Sequence, residues 1–155
     1  MPSPRWDALR CCSSVVSFRL SFYEWQKLDA KTKQPFAIAM KDGKPYAFAG
    51  LWEKWKDRKV STELLTFTVI TTDPNEVVRP MHDRMPVIIP ERDYDRWLQP
   101  GDPDRPPIDL LRPYEADRMT AWKVDKAVGN VKNDSPDLIE HASTTPKESP
   151  GSLFS

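Results

Sequence analysis

Residues 22–25 read Phe-Tyr-Glu-Trp, which places a carboxylate between aromatic side chains. Aromatic neighbours remove water from a carboxylate and raise its pKa, and a raised pKa suits Glu24 to general acid and base chemistry. An exposed glutamate on the edge of a strand is the alternative interpretation of the same four residues.

His82 is the second candidate, and it is one of only two histidines in the chain. Asp83 and Arg84 follow it directly, and Pro80 and Pro86 restrict the backbone on both sides. A rigid polar loop between apolar strands is costly unless it is used or extensively hydrogen-bonded, which makes His82 a candidate functional residue. A structural loop histidine is the alternative.

A third candidate segment, residues 127–133, contains Gly129, Asn130 and Asn133, which allow close backbone approach and can fix a neighbouring loop. We expect no metal and no cofactor, because no His or Cys pair has the spacing of metal ligands and no glycine-rich phosphate loop occurs. This excludes ATP and dinucleotides. A Ser-His-Asp triad stays open, although no Gly-x-Ser-x-Gly motif is present.

These residues must be positioned by a β-rich domain. Apolar runs on either side of Asp42 and Gly43 predict a β-hairpin, because Asp-Gly is a strong turn signal. Residues 64–72 are almost wholly β-branched or aromatic, which predicts a central strand covered on both faces. The other predicted elements are a strand at 86–89, a helix at 91–98, a loop at 99–107, a helical turn at 108–111 and a strand at 119–124.

The 155 residues are enough for one domain, and 16 prolines against five glycines disfavour long helices. No apolar run is long enough for a transmembrane helix. Cys11 and Cys12 are adjacent and offer no disulfide framework, which favours a reducing, cytoplasmic compartment. Lys plus Arg equals Asp plus Glu at 23 each, but residues 1–60 carry twelve basic and six acidic side chains. That excess is compatible with a nucleic-acid partner or with a solvated basic face.

Taken in order, the motifs resemble the SRAP family, the SOS response-associated peptidases also described as abasic site processing proteins. The resemblance covers residues 22–140. The shared stretches are Phe-Tyr-Glu-Trp at 22–25, Gln-Pro-Phe at 34–36, Phe-Ala-Gly-Leu-Trp at 48–52, Phe-Thr-Val-Ile-Thr-Thr at 67–72, His-Asp-Arg-Met-Pro at 82–86, Val-Gly-Asn-Val-Lys-Asn at 128–133 and Leu-Ile-Glu at 138–140.

The resemblance implies an α+β, β-rich mixed fold with short helices that binds single-stranded DNA containing abasic sites. In the family an N-terminal cysteine captures the aldehyde of the opened sugar as a thiazolidine crosslink. By motif position, Glu24 and His82 handle the protons, and His82 assists ring opening. Thr71 and Arg84 flank the lesion, with Arg84 on a phosphate. Trp25 and Trp52 are stacking rings or core residues.

The first residues depart from the family, whose members begin Met-Cys-Gly-Arg, whereas this chain begins Met-Pro-Ser-Pro. We therefore interpret residues 1–21 as a non-matching, poorly ordered segment, 22–140 as an SRAP-like domain incomplete at its N-terminus, and 141–155 as a disordered tail. We expect that the sequence is truncated or frame-shifted. The protein would then lack the cysteine nucleophile, be inactive and be unstable. Capture of an aldehyde by the Pro2 amine is a remote alternative.

Two other function classes remain open. One is a non-catalytic single-stranded DNA-binding module that uses basic and aromatic side chains. The other is a peptidase, because the family name carries that activity, seen as removal of the first residues. In each case we expect a monomer that does not bind a membrane, located in the cytoplasm and associated with the nucleoid when bound to DNA.

Overall fold

Strands dominate the computed structural model, which describes residues 13–56, 63–99 and 105–142. The prediction of a β-rich α+β fold is confirmed. The strands are β1 (Ser13–Arg19), β2 (Ser21–Lys27), β3 (Lys33–Met40), β4 (Tyr46–Lys56), β5 (Glu63–Val69), β6 (Thr71–Thr72), β7 (Met85–Pro86), β8 (Ile88–Ile89) and β9 (Met119–Lys123).

The turn between β3 and β4 connects two different sheets. Gly43 has a φ of 68° and donates its N–H to the Met40 carbonyl at 3.1 Å, so the predicted Asp-Gly turn is present. The predicted hairpin is wrong, because β3 pairs with β2 and β9 whereas β4 pairs with β1, β5 and β8. The two strands meet through their side chains: Ile38 of β3 packs with Tyr46 and Phe48 of β4 in one buried cluster.

Strand β4 organises the first sheet, in which every pairing is antiparallel. Residues 46–52 pair with β1, and residues 50–56 pair with β5. The sequence predicts a poorly ordered segment over residues 1–21, but Ser13–Arg19 forms a full strand, in which Val16 packs into a buried cluster beside β4. Residues 1–12 lie outside the described residues.

Strand β5 lies at an edge of this sheet within the described part of the chain. The prediction of a central strand covered on both faces is therefore wrong. Leu64, Leu65 and Phe67 are 51%, 66% and 73% exposed. The reason is the register: β5 pairs with the end of β4 that extends beyond the buried clusters, so nothing in the described ranges covers it.

The second sheet has the order β2-β3-β9 and faces the first across a shared core. Its centre is β3, where Ala37 and Ile38 are fully buried. The predicted strand at 119–124 is confirmed as β9. Phe22 of β2 lies edge-on to the rings of Tyr46 and Phe48, with centroids 6.4 and 5.4 Å apart. Side chains of β2 that share the face of Phe22 therefore point toward the space between the sheets.

A second buried cluster covers the opposite face of β4. Ala49 packs there with Val87, Ile89, Trp97 and Leu110. Trp97 belongs to α1 (Tyr94–Leu98), which follows a 3-10 helix (Glu91–Asp93). Together these two helices span the predicted helix at 91–98.

The connections around α1 follow the remaining predictions in part. A 3-10 helix at Ile108–Leu110 matches the predicted helical turn, and Arg96 of α1 forms two 2.6 Å hydrogen bonds to the carboxylate of Asp109. The predicted strand at 86–89 is split at Val87 into β7 and β8. Most of the predicted loop at 99–107 and most of the predicted tail lie outside the described residues. No described helix is long and apolar enough to span a membrane.

Candidate functional site

Glu24 lies in the middle of β2, opposite Phe36 of β3. Alternate residues of a strand share a face, so Glu24 lies on the side of Phe22, which faces the core. The side chain is half-buried. Burial raises the pKa of the Glu24 carboxyl, and the nearby charge of His82 and a hydrogen bond from the Trp25 backbone lower it by less. Glu24 is therefore partly desolvated on the core side of β2, whereas its sequence neighbours Tyr23 and Trp25 point to the opposite face.

A buried asparagine shapes the loop that carries His82. The Asn75 side-chain oxygen accepts the N–H groups of Val77 and Val78, both at 3.1 Å, and its amide donates to the Tyr114 carbonyl at 2.8 Å. The turn continues until His82 donates its backbone N–H to the Val78 carbonyl at 3.1 Å. Asn75 therefore fixes the start of the turn whose end is His82.

One hydrogen bond ties this loop to β2. The Gln26 amide donates to the Pro80 carbonyl at 3.2 Å. Because Gln26 and Glu24 share a face of β2, this bond brings the loop beside the carboxylate. The charge of His82 also lowers the pKa of Glu24, in keeping with this placement. The strand that carries Glu24 and the loop that carries His82 are thus neighbours in space.

The His82 ring has two alternative sets of partners through Nδ1. As an acceptor, Nδ1 receives a hydrogen bond from the backbone N–H of Arg84 at 3.0 Å, and the ring proton is then on Nε2. As a donor, Nδ1 lies 3.1 Å from the Arg84 carbonyl and 3.2 Å from the Asp83 carboxylate. Nδ1 therefore has a partner whether it accepts or donates a hydrogen bond. The ring is half-exposed, so Nε2 is available to a ligand.

Arg84 is held against Thr71. Its guanidinium donates to the Thr71 carbonyl at 2.6 Å and to the Thr71 hydroxyl at 3.2 and 3.3 Å, and it lies 3.5 Å from the Asp73 carboxylate. The short ladder between β6 and β7 sets this geometry, since Thr71 pairs with Pro86. The sequence-predicted residues Thr71, Arg84 and His82 thus lie side by side.

An open groove of about 540 Å³ runs beside His82. Lys27 and Arg79 contribute positive charge to its walls, and Asp73 and Asp83 contribute negative charge. Within the described ranges, no group of three His, Cys, Asp or Glu side chains could hold a metal ion. Of the candidate residues, His82 lines this groove, whereas Glu24 lies on the neighbouring strand β2 and Arg84 lies against Thr71.

The other candidates are not part of this arrangement. Trp25 is 38% exposed and lies on the face of β2 opposite to Glu24, because adjacent strand residues point to opposite faces. In the third candidate segment, Asn133 donates to the Ala127 carbonyl and Asn130 accepts the Lys132 N–H, so both asparagines organise their own loop. Cys11 and Cys12 lie outside the described residues.

Comparison with known proteins gives a consistent picture. The sequence model of SRAP, described as SOS response associated peptidase, matches residues 6–131. Abasic site processing protein YoqW of Bacillus subtilis is 48% identical over 121 residues, covering 77% of this chain and 54% of that protein. Abasic site processing protein HMCES of Gallus gallus is 30% identical over 138 residues, covering 76% and 40%.

The fold has relatives among solved structures. A crystal structure of a protein from Bacteroides thetaiotaomicron matches with a TM-score of 0.73 and 25% identity, covering 84% of this chain and 57% of that one. The chain spans about half the length of the curated relatives it matches. The match to the family model covers most of the chain and includes every site residue described above. The chain belongs to the SRAP family.

Proposed function

We propose that this protein binds single-stranded DNA and processes abasic sites, with Glu24 and His82 as the proton-handling residues. The single observation that supports the proposal is the hydrogen bond from Gln26 to the Pro80 carbonyl, which brings the loop of His82 beside the face of β2 that carries Glu24. The names of the family relatives, abasic site processing proteins, support the same chemistry. The proposed place of action is the cytoplasm, at the nucleoid, and the proposed form is a monomer.

Glu24 suits the step in which an aldehyde is captured. An amine adds to the aldehyde of an opened abasic sugar to give a carbinolamine, and the carbinolamine loses water to give an imine. The departing hydroxyl needs a proton, which a carboxyl with a raised pKa can donate and later take back. Neither Glu24 nor His82 is an amine, so adduct formation also measures whether the chain supplies that nucleophile.

His82 suits the opening of the closed sugar. Ring opening needs a proton removed from the hydroxyl at the anomeric carbon and a proton delivered to the ring oxygen. An imidazole whose Nδ1 has a partner both as acceptor and as donor can serve either role. Its half-exposed ring leaves room for the sugar.

Arg84, Thr71 and Trp25 are the proposed DNA-binding residues. Arg84 is already oriented by Thr71, and its ion pair with Asp73 is long and exposed. A phosphate could therefore replace Asp73 at low cost, since a guanidinium binds phosphate through parallel hydrogen bonds. The exposed Trp25 ring would stack on a base outside the acid–imidazole pair.

The test uses a single-stranded oligonucleotide with one abasic site and the variants Glu24→Gln and His82→Ala. Any covalent adduct that the parent protein forms, seen on a denaturing gel, is expected to form about 100-fold or more slowly in each variant, because a general acid or base has been removed. Glu140→Gln and His141→Ala are matched controls, because they change the same residue types away from the site.

Two outcomes would contradict the proposal. Equal adduct formation by the parent protein and both variants would remove Glu24 and His82 from the chemistry. The second outcome is DNA binding that weakens with salt, is the same with and without an abasic site, and yields no adduct even with borohydride. This result would favour the non-catalytic DNA-binding module. Mass spectrometry of the intact protein would show whether it removes its own first residues.

A further inference from the structure

A second concave surface lies at the other end of β3. The turn between β3 and β4 faces residues 89–94 and 114–118 across a cavity of about 470 Å³. Phe36 lies opposite Glu24, and Met40 lines the cavity four residues farther along β3. At roughly 3.3 Å per residue, the two sites are about 13 Å apart along the strand. We call this second surface the turn pocket.

Positive charge predominates in the turn pocket. Its charged lining consists of four cations against two carboxylates: Lys41, Lys44, Arg92 and Arg118 against Asp42 and Glu91. The Asp42 carboxylate accepts the backbone N–H of Lys44 at 3.1 Å and so is engaged in holding the turn. In the described ranges no ion pair involves the side chain of Lys41 or Lys44. A surface of this kind attracts anions.

The two arginines of the turn pocket are only weakly engaged. Arg118 lies 3.6 Å from Glu115 and Arg92 lies 3.6 Å from Asp93, and both arginine side chains are more than half exposed. Exposed ion pairs of this length add little stability and are readily exchanged for a better partner. A phosphate offers that partner, because it accepts the parallel hydrogen bonds of a guanidinium.

Three tyrosines complete the walls of the turn pocket. Tyr46, Tyr94 and Tyr114 line it, and the Arg118 guanidinium lies 6.0 Å from the centre of the Tyr114 ring. Aromatic rings beside cations are the usual means of holding a base and its phosphate together. The volume also lies within the range of sites that hold small molecules.

We propose that the turn pocket is an anion site for a phosphate-bearing nucleotide. The nucleotide is either a unit of an undamaged DNA strand or a free nucleotide, and the phosphate lies against Lys41 and Lys44. The site is separate from the acid and imidazole pair and needs no abasic lesion. Its function therefore extends beyond the proposed abasic-site chemistry.

The test compares the parent protein with the double variant Lys41→Ala and Lys44→Ala. The probes are deoxyadenosine 5′-monophosphate and an undamaged single strand of about 16 nucleotides. Affinity is measured at several salt concentrations by NMR titration and fluorescence anisotropy. The expected loss is about three- to tenfold for the probe that binds, as for two exposed ion pairs. For the strand, the negative slope of log K against log salt becomes shallower by about 0.7 for each lost phosphate contact.

Controls separate this site from the first one. Arg105→Ala with Lys132→Ala removes the same charge from exposed positions elsewhere and is expected to retain affinity. Glu140→Gln, which changes an exposed carboxylate away from both sites, is also expected to bind both probes like the parent. The amide spectrum of each variant shows whether it is folded.

Each probe identifies a source of the ligand. Loss for the strand alone assigns the site to a DNA backbone, and loss for the mononucleotide assigns it to a free nucleotide. The inference is overturned if neither probe binds the parent protein. It is also overturned if the folded double variant binds both probes as the parent does.

Discussion

Glu24 is held where its protonated form is favoured. Its half-buried carboxyl lies on the core-facing side of β2, and burial outweighs the favourable charge of His82. A carboxyl whose pKa rises on folding stabilises the folded state only when it is protonated. The burial of Glu24 therefore makes the protein less stable near neutral pH than at acidic pH.

Replacement of Glu24 by glutamine is expected to stabilise the protein near neutral pH. The amide cannot ionise, and its oxygen can still accept the hydrogen bond from the Trp25 backbone. The stability that the parent derives from a protonated Glu24 is complete below its ordinary value of 4.5 and is lost as pH rises through the raised pKa. Urea denaturation across this range should show the variant gaining its advantage as pH increases.

Glu140→Gln is the control for that measurement, since Glu140 is an exposed glutamate. Its free energy of unfolding should follow that of the parent protein at every pH. A Glu24→Gln protein that is less stable than the parent near neutral pH would show that hydrogen bonds to the carboxylate outweigh its burial.

The candidate site could be predicted only in part. The family motifs identify Glu24 and His82, but no spacing rule joins two residues this far apart in sequence. Asn75 was missed, although an asparagine before an apolar pair is a recognisable side-chain turn signal. What the sequence could not show is that Tyr114 and Met119 bury this turn, which makes Asn75 a positioning residue rather than a surface one.

At the level of elements, short-range signals are reliable where long-range pairing is not. The Asp-Gly turn has the predicted conformation at Gly43, but its two strands enter different sheets. A turn signal describes four residues, whereas the partner of each strand depends on side chains far along the chain. The side chains of Ile38, Tyr46 and Phe48 pack in one buried cluster between the two sheets. Strands β3 and β4 therefore contact each other through side chains and not through backbone pairing.

Strand β5 shows the same limit in its burial. Its β-branched and aromatic composition correctly predicts a strand, and the register against residues 50–56 leaves it exposed. An apolar edge strand is a template for pairing with another chain. The expected consequence is that the monomer aggregates through β5 as its concentration rises.

Phe67→Lys is expected to reduce self-association without unfolding the protein. Phe67 is 73% exposed, so its replacement should change the free energy of unfolding by no more than about 0.5 kcal/mol. A lysine on an edge strand opposes pairing with a second copy. Light scattering at increasing concentration measures the association, and urea denaturation measures the stability.

The matched control is Phe67→Tyr, which keeps an aromatic ring at the same position. It should associate like the parent protein. If Phe67→Lys and the parent associate equally, the β5 edge is not the surface responsible.

The whole molecule is joined through β4. Tyr46 and Phe48 enter the cluster shared with the second sheet, whereas Ala49 enters the cluster beneath α1. Hydrogen bonds reinforce this junction: Ala49 donates to Val87 at 2.8 Å, and Ile70 donates to Ala49 at 2.9 Å. Since both clusters depend on one strand, they should open together.

Hydrogen exchange can test whether the two clusters form one cooperative unit. Ile38→Val removes one methylene from the first cluster and should cost about 0.5–1.5 kcal/mol. If β4 couples the clusters, the opening free energies of the Ala49 and Val87 amides in the second cluster should fall by the same amount as that of Ile38. Leu65→Thr, at an exposed position, should leave all three unchanged. A loss confined to the first cluster would show that the clusters open independently, because then the strand they share would not transmit the change.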